Sequence, residues 1–121
     1  MSDTIFVFGS NLAGIHGAGS AYEAKRTYGA ETGIGEGPTG RAYAIPTKDR
    51  ELRTLPISEI GLYVDQFLKY ARAHPNLEFH VVKIGCGLAG FKEEQIAPLF
   101  HYAPSNCILP EGWREHASRG T

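Results

Sequence analysis

The sequence has little cysteine and no surplus of charge of either sign, and each shortage excludes a class of protein. Two cysteines among 121 residues are too few for a disulfide framework. They predict a reducing compartment, the cytoplasm, with Cys107 as a buried thiol in an apolar stretch. The 12 basic and 13 acidic residues give a net charge of −1, so there is no basic excess with which to bind a nucleic-acid backbone.

Long apolar runs and metal-binding patterns are missing as well. No apolar stretch of the sequence is long enough to span a bilayer, and the N-terminus lacks a signal-peptide pattern, so we expect no membrane partner. Neither a C-x-x-C pair nor a His-x-x-x-His pattern occurs, so we expect no metal ion and no cofactor.

The remaining composition is that of an ordinary globular domain. Hydrophobic residues make up 42% of the chain and charged residues 21%, a balance that allows a buried core. The length suits one domain over residues 1–121, and we expect it to be a monomer. Trp113 is expected to pack back onto the domain, and the polar end, about residues 114–121, is expected to fray.

Glycine is unusually frequent, with 15 residues, and most of them fall into three clusters. Low-complexity disorder would explain such richness, but apolar runs adjoin the clusters. Ligand-facing loops on a scaffold of strands explain the pattern better. The clusters are Gly9, Gly14, Gly17 and Gly19; Gly33, Gly35, Gly37 and Gly40; and Gly85, Gly87 and Gly90.

The third cluster follows the most strongly apolar strand of the sequence. Residues 79–84 are rich in β-branched side chains, which predicts a strand buried on both faces with His80 in or next to the core. Residues 92–102 are predicted to be helical, although Pro98 is awkward there. Glycines at such a junction leave free N–H groups in a concavity that suits a phosphate. The alternative is a tight turn without a ligand.

The rest of the chain alternates strands with helices. Strands are predicted at residues 4–8, 42–46 and 106–109, and helices at residues 20–28 and from 56 or 58 to 73, with a mobile connection over residues 31–41. This alternation predicts an α/β fold with a mainly parallel sheet and helices on both faces. Ligands of such sheets bind beyond the carboxyl ends of the strands. The loops at residues 9–19, 47–49 and 85–91 all lie at that edge.

Residues 85–90 also fit the dinucleotide pattern G-x-G-x-x-G. A Rossmann fold normally begins with this turn and builds its sheet afterwards, whereas here the turn comes late in the chain. A Rossmann-type nucleotide binder therefore stays a weaker alternative.

Two segments resemble the ligand loops of macrodomains. Residues 11–19 (Asn-Leu-Ala-Gly-Ile-His-Gly-Ala-Gly) resemble the first loop, and residues 85–91 (Gly-Cys-Gly-Leu-Ala-Gly-Phe) resemble the second, which wraps the diphosphate of ADP-ribose. Residues 84–88 and 45–48 are especially similar to the terminal ADP-ribose protein glycohydrolase branch. The resemblance implies a three-layer α/β/α fold with a central mixed, mainly parallel sheet. It also implies that the partner is ADP-ribose or an ADP-ribosylated macromolecule.

The same resemblance assigns roles to individual residues. Lys48 corresponds to a catalytic lysine near the anomeric carbon of the distal ribose, and Asn11 would contact that ribose, although it could instead cap a turn. His16 is a candidate acid or base on general grounds, or else an exposed loop histidine. The ligand-binding residues expected from both loops are Gly9, Ser10, Asn11, Gly17, Ala18, Gly19, Gly85, Cys86, Gly87, Leu88, Ala89, Gly90 and Phe91.

Two departures bear on catalysis. The mono-ADP-ribosyl hydrolase branch has an aspartate where this chain has Ala21, and the glycohydrolase branch has one where this chain has Ala89. We expect a protein that binds ADP-ribose or a related NAD-derived nucleotide. We further expect it to hydrolyse a group from the distal ribose, as an ADP-ribosyl hydrolase or an ADP-ribose 1''-phosphate phosphatase. The alternative is a non-catalytic ADP-ribose-binding module.

Overall fold

One five-stranded sheet organises the part of the chain that the computed structural model describes, residues 3–114. The strand order is β2-β3-β1-β4-β5, with β1 in the centre and β2 antiparallel to β3 while the other pairs are parallel. The elements in chain order are β1 (Thr4–Asn11), α1 (Gly19–Tyr28), β2 (Gly37–Thr39), β3 (Ala42–Lys48), α2 (Ile57–Ala73), β4 (Glu78–Val81), α3 (Glu93–Ile96), a 3-10 helix (Ala97–Phe100) and β5 (Cys107–Ile108).

Both faces of the sheet are covered, which makes three layers. Phe8 of β1 packs with Ala21 and Ala24 of α1 on one face. Its neighbour Val7 points the other way and joins the larger cluster with α2, because successive strand residues alternate between faces. The buried positions of α2 are Ile60, Val64, Phe67, Leu68 and Ala71. The predicted three-layer α/β/α fold with a mainly parallel, mixed sheet is confirmed.

The two central strands differ from their predicted form. β1 continues through Asn11 because its ladder with β3 runs on to the pairing of Asn11 with Lys48. β4 was predicted to be buried on both faces, but its residues alternate between buried and exposed. His80 was wrongly expected in or near the core. It is exposed, because one face of β4 is open to solvent at His80 and Glu78. Its Nε2 lies 2.7 Å from Oε1 of Glu78.

Strand β2 was not predicted. It lies inside the segment interpreted as a connection and pairs Gly37 with Ala44 and Thr39 with Ala42. Glycine, proline and threonine together give a weak strand signal. Pro38 is tolerated because β2 is an edge strand, where a missing N–H donor costs little.

The C-terminal part contains less regular structure than predicted. The expected helix over residues 92–102 is a short α3 followed by a 3-10 helix with Pro98 in its first turn, since proline cannot donate within a continuous α-helix. Trp113 packs back as predicted, 5.6 Å from the ring of Phe100, and its Nε1 donates to Glu93 Oε1. The predicted frayed tail lies outside the described residues except for residue 114. None of the helices within residues 3–114 has the length and apolar character that crossing a bilayer requires.

Candidate functional site

A cavity of about 610 Å³ lies at the carboxyl ends of β1, β3 and β4, a volume typical of small-molecule sites. The loops that follow these three strands meet around it. The residues lining it are Gly9, Ser10, Asn11, Ile15, Gly17, Ala18, Gly19, Ser20, Ala21, Thr47, Lys48, Leu52, Val82, Lys83, Gly85, Cys86, Gly87, Leu88 and Ala89.

Most of the residues named from sequence line this cavity, and three do not. Lys48, Asn11 and every expected ligand-binding residue except Gly90 and Phe91 are in the lining. Phe91 turns away because its N–H donates to Gly85 O at 2.9 Å and its ring packs beside that glycine and against the core. His16 is the third residue outside the lining.

The loop after β4 presents backbone donors to the cavity. The N–H groups of Gly87, Leu88 and Ala89 have no hydrogen-bond acceptor within residues 3–114, whereas their neighbours are bonded and hold the loop in shape. Cys86 N donates to Lys83 O at 3.2 Å, and Gly90 N donates to Gly87 O at 3.0 Å. Consecutive unpaired N–H groups of this kind form an anion-binding concavity.

A second set of donors comes from the loop before α1. Across the described part of the chain, the N–H groups of residues 17–21 find no acceptor. Ala18, the N-cap of α1, supplies no side-chain cap, and the first turn of α1 contains no acidic residue. The partial positive charge of the helix N-terminus is therefore left for a ligand in the cavity.

Asn11 closes the turn that leads into this second set of donors. Its Nδ2 donates to Ile15 O at 2.9 Å, and its Oδ1 accepts from Ile15 N at 3.0 Å. The side chain therefore caps a turn, and it also lines the cavity. Since an amide nitrogen carries two hydrogens, Nδ2 retains one donor for a ligand.

The charged side chains of the lining are both cationic. Lys48 has no ion-pair or hydrogen-bond partner for its Nζ among residues 3–114, whereas Lys83 Nζ lies 3.2 Å from Oε2 of Glu93. No carboxylate of the described residues lines the cavity. The site is therefore electropositive and suits a ligand with negative charge.

His16 lies behind the first loop, not in the cavity. It is only 4% exposed, its Nε2 lies 3.1 Å from both Glu31 O and Ile34 O, and its ring stands edge-on to Phe8. Its Nδ1 is buried without a partner in the described part of the chain. In this position the imidazole ties the first loop to residues 31–34 and cannot reach a ligand as an acid or base.

The second glycine cluster does not line the cavity, contrary to the sequence interpretation, and two of its members, Gly33 and Gly35, support the first loop from behind. Gly33 N donates to Gly14 O at 2.8 Å, and the Ser10 hydroxyl donates to Gly35 O. A Cβ built on Gly35 would lie 2.0 Å from Asn11 O. Glycine is therefore needed here so that one loop can approach the back of another.

Cys86 is a free thiol in the lining. Burial raises its pKa above the ordinary value, with a further contribution from the negative charge of Glu93. A thiol with a raised pKa is a poor nucleophile near neutral pH. This agrees with the sequence interpretation that residue 86 serves the loop as a small side chain.

Sequence reasoning did not identify several lining residues: Ile15, Ser20, Val82, Lys83 and Leu52. Leu52 belongs to the loop between β3 and α2, which the Asp49 carboxylate holds by accepting from the N–H groups of Glu51 and Arg53 at 2.9 Å. The pKa of Asp49 is lowered chiefly by the Arg53 N–H bond. An Asp that begins such a loop is a recognisable turn signal, but it does not reveal that Leu52 reaches the cavity.

Among solved structures, the macrodomain of Mycobacterium tuberculosis DarG matches this chain with a TM-score of 0.66. The two chains share 19% sequence identity, and the match covers 89% of each. No protein-family model matches the sequence. No curated protein matches it either. The similarity therefore concerns the fold, and it extends over nearly the whole chain.

Proposed function

We propose that this chain, whose fold is that of a macrodomain, binds ADP-ribose or a related NAD-derived nucleotide in the cavity and hydrolyses a group from the distal ribose. One observation carries the proposal. Two separate runs of N–H groups, residues 17–21 and 87–89, find no acceptor within residues 3–114 and border one electropositive cavity. A diphosphate is the ligand chemistry that uses both runs at once.

The orientation of the ligand follows from the remaining lining groups. With the diphosphate between the two runs of donors, the distal ribose lies towards Lys48 and Asn11, which face each other across the β1–β3 ladder. Asn11 offers its remaining Nδ2 hydrogen to a ribose hydroxyl. Lys48 brings an unpaired ammonium to the anomeric carbon.

Hydrolysis here would break the bond between the anomeric carbon and the oxygen of the attached group. Water supplies a hydroxyl to the carbon and a proton to the departing oxygen. The Lys48 ammonium stabilises the negative charge that develops on that oxygen as the bond breaks. Because no carboxylate of residues 3–114 lines the cavity to activate water, acid–base help worth roughly 10²–10⁴-fold in rate is missing, and the enzyme should be slow.

A non-catalytic reader of ADP-ribose is the second candidate. The observation that favours it is the same lack of a carboxylate among the described lining residues, together with the position of His16 outside the lining. Both candidates bind the same ligand with the same donors. They differ only in whether a bond to the distal ribose is broken.

Calorimetric titration with ADP-ribose and with AMP tests the binding. ADP-ribose should bind much more tightly, because AMP lacks the second phosphate and the distal ribose. Equal affinities for the two ligands would contradict the proposed orientation. Single-turnover assays on ADP-ribosylated protein and on ADP-ribose 1''-phosphate then separate hydrolase from reader, since the reader predicts tight binding with neither substrate cleaved.

A further inference from the structure

Three large aliphatic side chains stand exposed around the cavity, one from each of the three loops. Ile15 is 51% exposed, Leu52 44% and Leu88 73%, and all three line the cavity. Single exposed apolar residues are ordinary on protein surfaces, whereas a group of them at a concave site indicates a binding surface.

All three are linked to the same end of the cavity, the end at Lys48. Ile15 is held through its backbone by Asn11, the residue paired with Lys48 in the sheet. Leu52 lies in the loop that returns to form a bridge between Lys48 and Thr54. The Thr54 hydroxyl in turn donates to Ala89 O at 3.2 Å, next to Leu88.

Leu52 is held at this end in an uncommon backbone conformation. Its φ is +65°, the one positive φ of a non-glycine residue within residues 3–114. Side chains beyond glycine, asparagine and aspartate rarely adopt this region, and those that do are fixed by their surroundings. Here the Asp49 carboxylate fixes the loop through the N–H groups of Glu51 and Arg53. The loop therefore holds Leu52 at the cavity in a backbone conformation that leucine rarely adopts.

From this arrangement, and resting on the proposed function, we propose that Ile15, Leu52 and Leu88 form the subsite for the group attached to the distal ribose. We assign that group to an uncharged segment of an ADP-ribosylated protein, in which apolar residues stand beside the modified residue. If Lys48 faces the anomeric carbon, the substituent on that carbon leaves the cavity between these three side chains. The apolar subsite thus distinguishes the two substrates considered for hydrolysis.

The charge of the substituent decides between those substrates. A phosphate on the anomeric carbon would be attracted by the Lys48 ammonium on one side. On its outward side it would lose hydration to three aliphatic side chains, and burying an ion beside apolar groups is costly. An apolar peptide segment gains free energy from the same contacts. A nucleic acid is disfavoured because the chain, at a net charge of −1, offers no surplus of cations to a phosphodiester backbone.

Binding measurements with five probes test the inference: free ADP-ribose, ADP-ribose 1''-phosphate, an ADP-ribosylated oligonucleotide, and two peptides of equal length. The peptides carry ADP-ribose through a linkage that water cannot cleave, one with leucine and phenylalanine beside the modified residue and the other with aspartates. The apolar peptide should bind roughly tenfold more tightly than free ADP-ribose, as expected for partial burial of aliphatic side chains. The aspartate peptide and the 1''-phosphate should show no such gain.

Leu52→Asn is the diagnostic variant because asparagine tolerates a positive φ and the fold should survive. It should reduce the ratio of apolar-peptide affinity to ADP-ribose affinity by roughly fivefold. Leu62→Asn is the matched control, since Leu62 is 63% exposed on α2 and outside the lining, and it should leave the ratio unchanged. Melting curves of both variants confirm folding.

Each outcome bears on a different claim. If ADP-ribose itself fails to bind, the proposed function is wrong and the subsite has no basis. If ADP-ribose binds but the two peptides are equal, or Leu52→Asn leaves the ratio unchanged, only the subsite is refuted. Tighter binding of ADP-ribose 1''-phosphate, or of an ADP-ribosylated oligonucleotide, than of the apolar peptide would overturn the assignment to protein.

Discussion

Gly87→Glu places a negative charge in the proposed diphosphate site, and the substitution should leave the rest of the fold unchanged. Gly87 lines the cavity, its φ lies outside the left-handed region, and a Cβ built on it has no heavy atom within 4 Å. Gly90 is a poorer choice because its φ of +88° makes any side chain strained and it lies outside the lining. The glutamate should therefore affect the ligand far more than the fold.

Coulomb's law gives the expected size of the effect. A carboxylate about 6 Å from one phosphate charge, at an effective dielectric constant of about 20, repels it by about 3 kcal/mol. Salt reduces this value, since the Debye length at physiological ionic strength is about 8 Å. A loss of about 2–3 kcal/mol corresponds to roughly 30- to 150-fold weaker binding of ADP-ribose.

Calorimetry at low and physiological salt measures this loss, with Gly87→Gln as the matched control. Glutamine has nearly the same shape as glutamate without the charge, so it reports the effect of bulk alone, and only the glutamate variant should recover affinity as salt rises. Unchanged ADP-ribose affinity in Gly87→Glu, with an unchanged melting curve, would show that the loop is a turn and not a phosphate site. Equal losses in both variants would refute the electrostatic part of the reasoning.

Three further predictions concern the site and its support. Lys48→Ala should lower single-turnover hydrolysis far more than ADP-ribose affinity, and turnover untouched by the change would mean that another group stabilises the departing oxygen. Gly35→Ala should lower both the melting temperature and ADP-ribose affinity, because its Cβ would meet Asn11 O and displace the first loop; a variant with the parent's stability and affinity would refute this contact. In alkylation at pH 8 followed by mass spectrometry, Cys86 should react slowly and ADP-ribose should protect it. Cys107, whose pKa burial raises to about 11, should stay unmodified in the folded protein, and its modification at the rate of Cys86 would contradict its burial.

The sheet and the location of the cavity could be predicted from the sequence because both depend on local patterns. Apolar runs ending in glycine predicted β1 and β4, helical spacing of apolar residues predicted α2, and the carboxyl ends of parallel strands necessarily share an edge. Strand β2 was not predicted because residues 37–39 have only a weak strand propensity and depend on pairing with β3.

The roles of individual side chains were less accessible, because a role depends on which groups a side chain meets across the fold. In the sequence His16 stands between glycines of a predicted ligand loop. In the structure the carbonyls of Glu31 and Ile34 hold its buried ring behind that loop. No sequence pattern singled out Leu52, which only the turn built by Asp49 brings to the cavity.

The sequence by itself therefore determined the order of the helices and of the strands other than β2, and the positions of the glycine-rich loops. These follow from residue type and spacing along the chain. Only the tertiary structure decided which glycines face the cavity and which support a loop from behind, and only it brought Ile15, Leu52, Leu88 and Lys48 into the lining of one cavity. Such contacts join residues far apart in sequence, so packing across the sheet edge fixes them and local propensity does not.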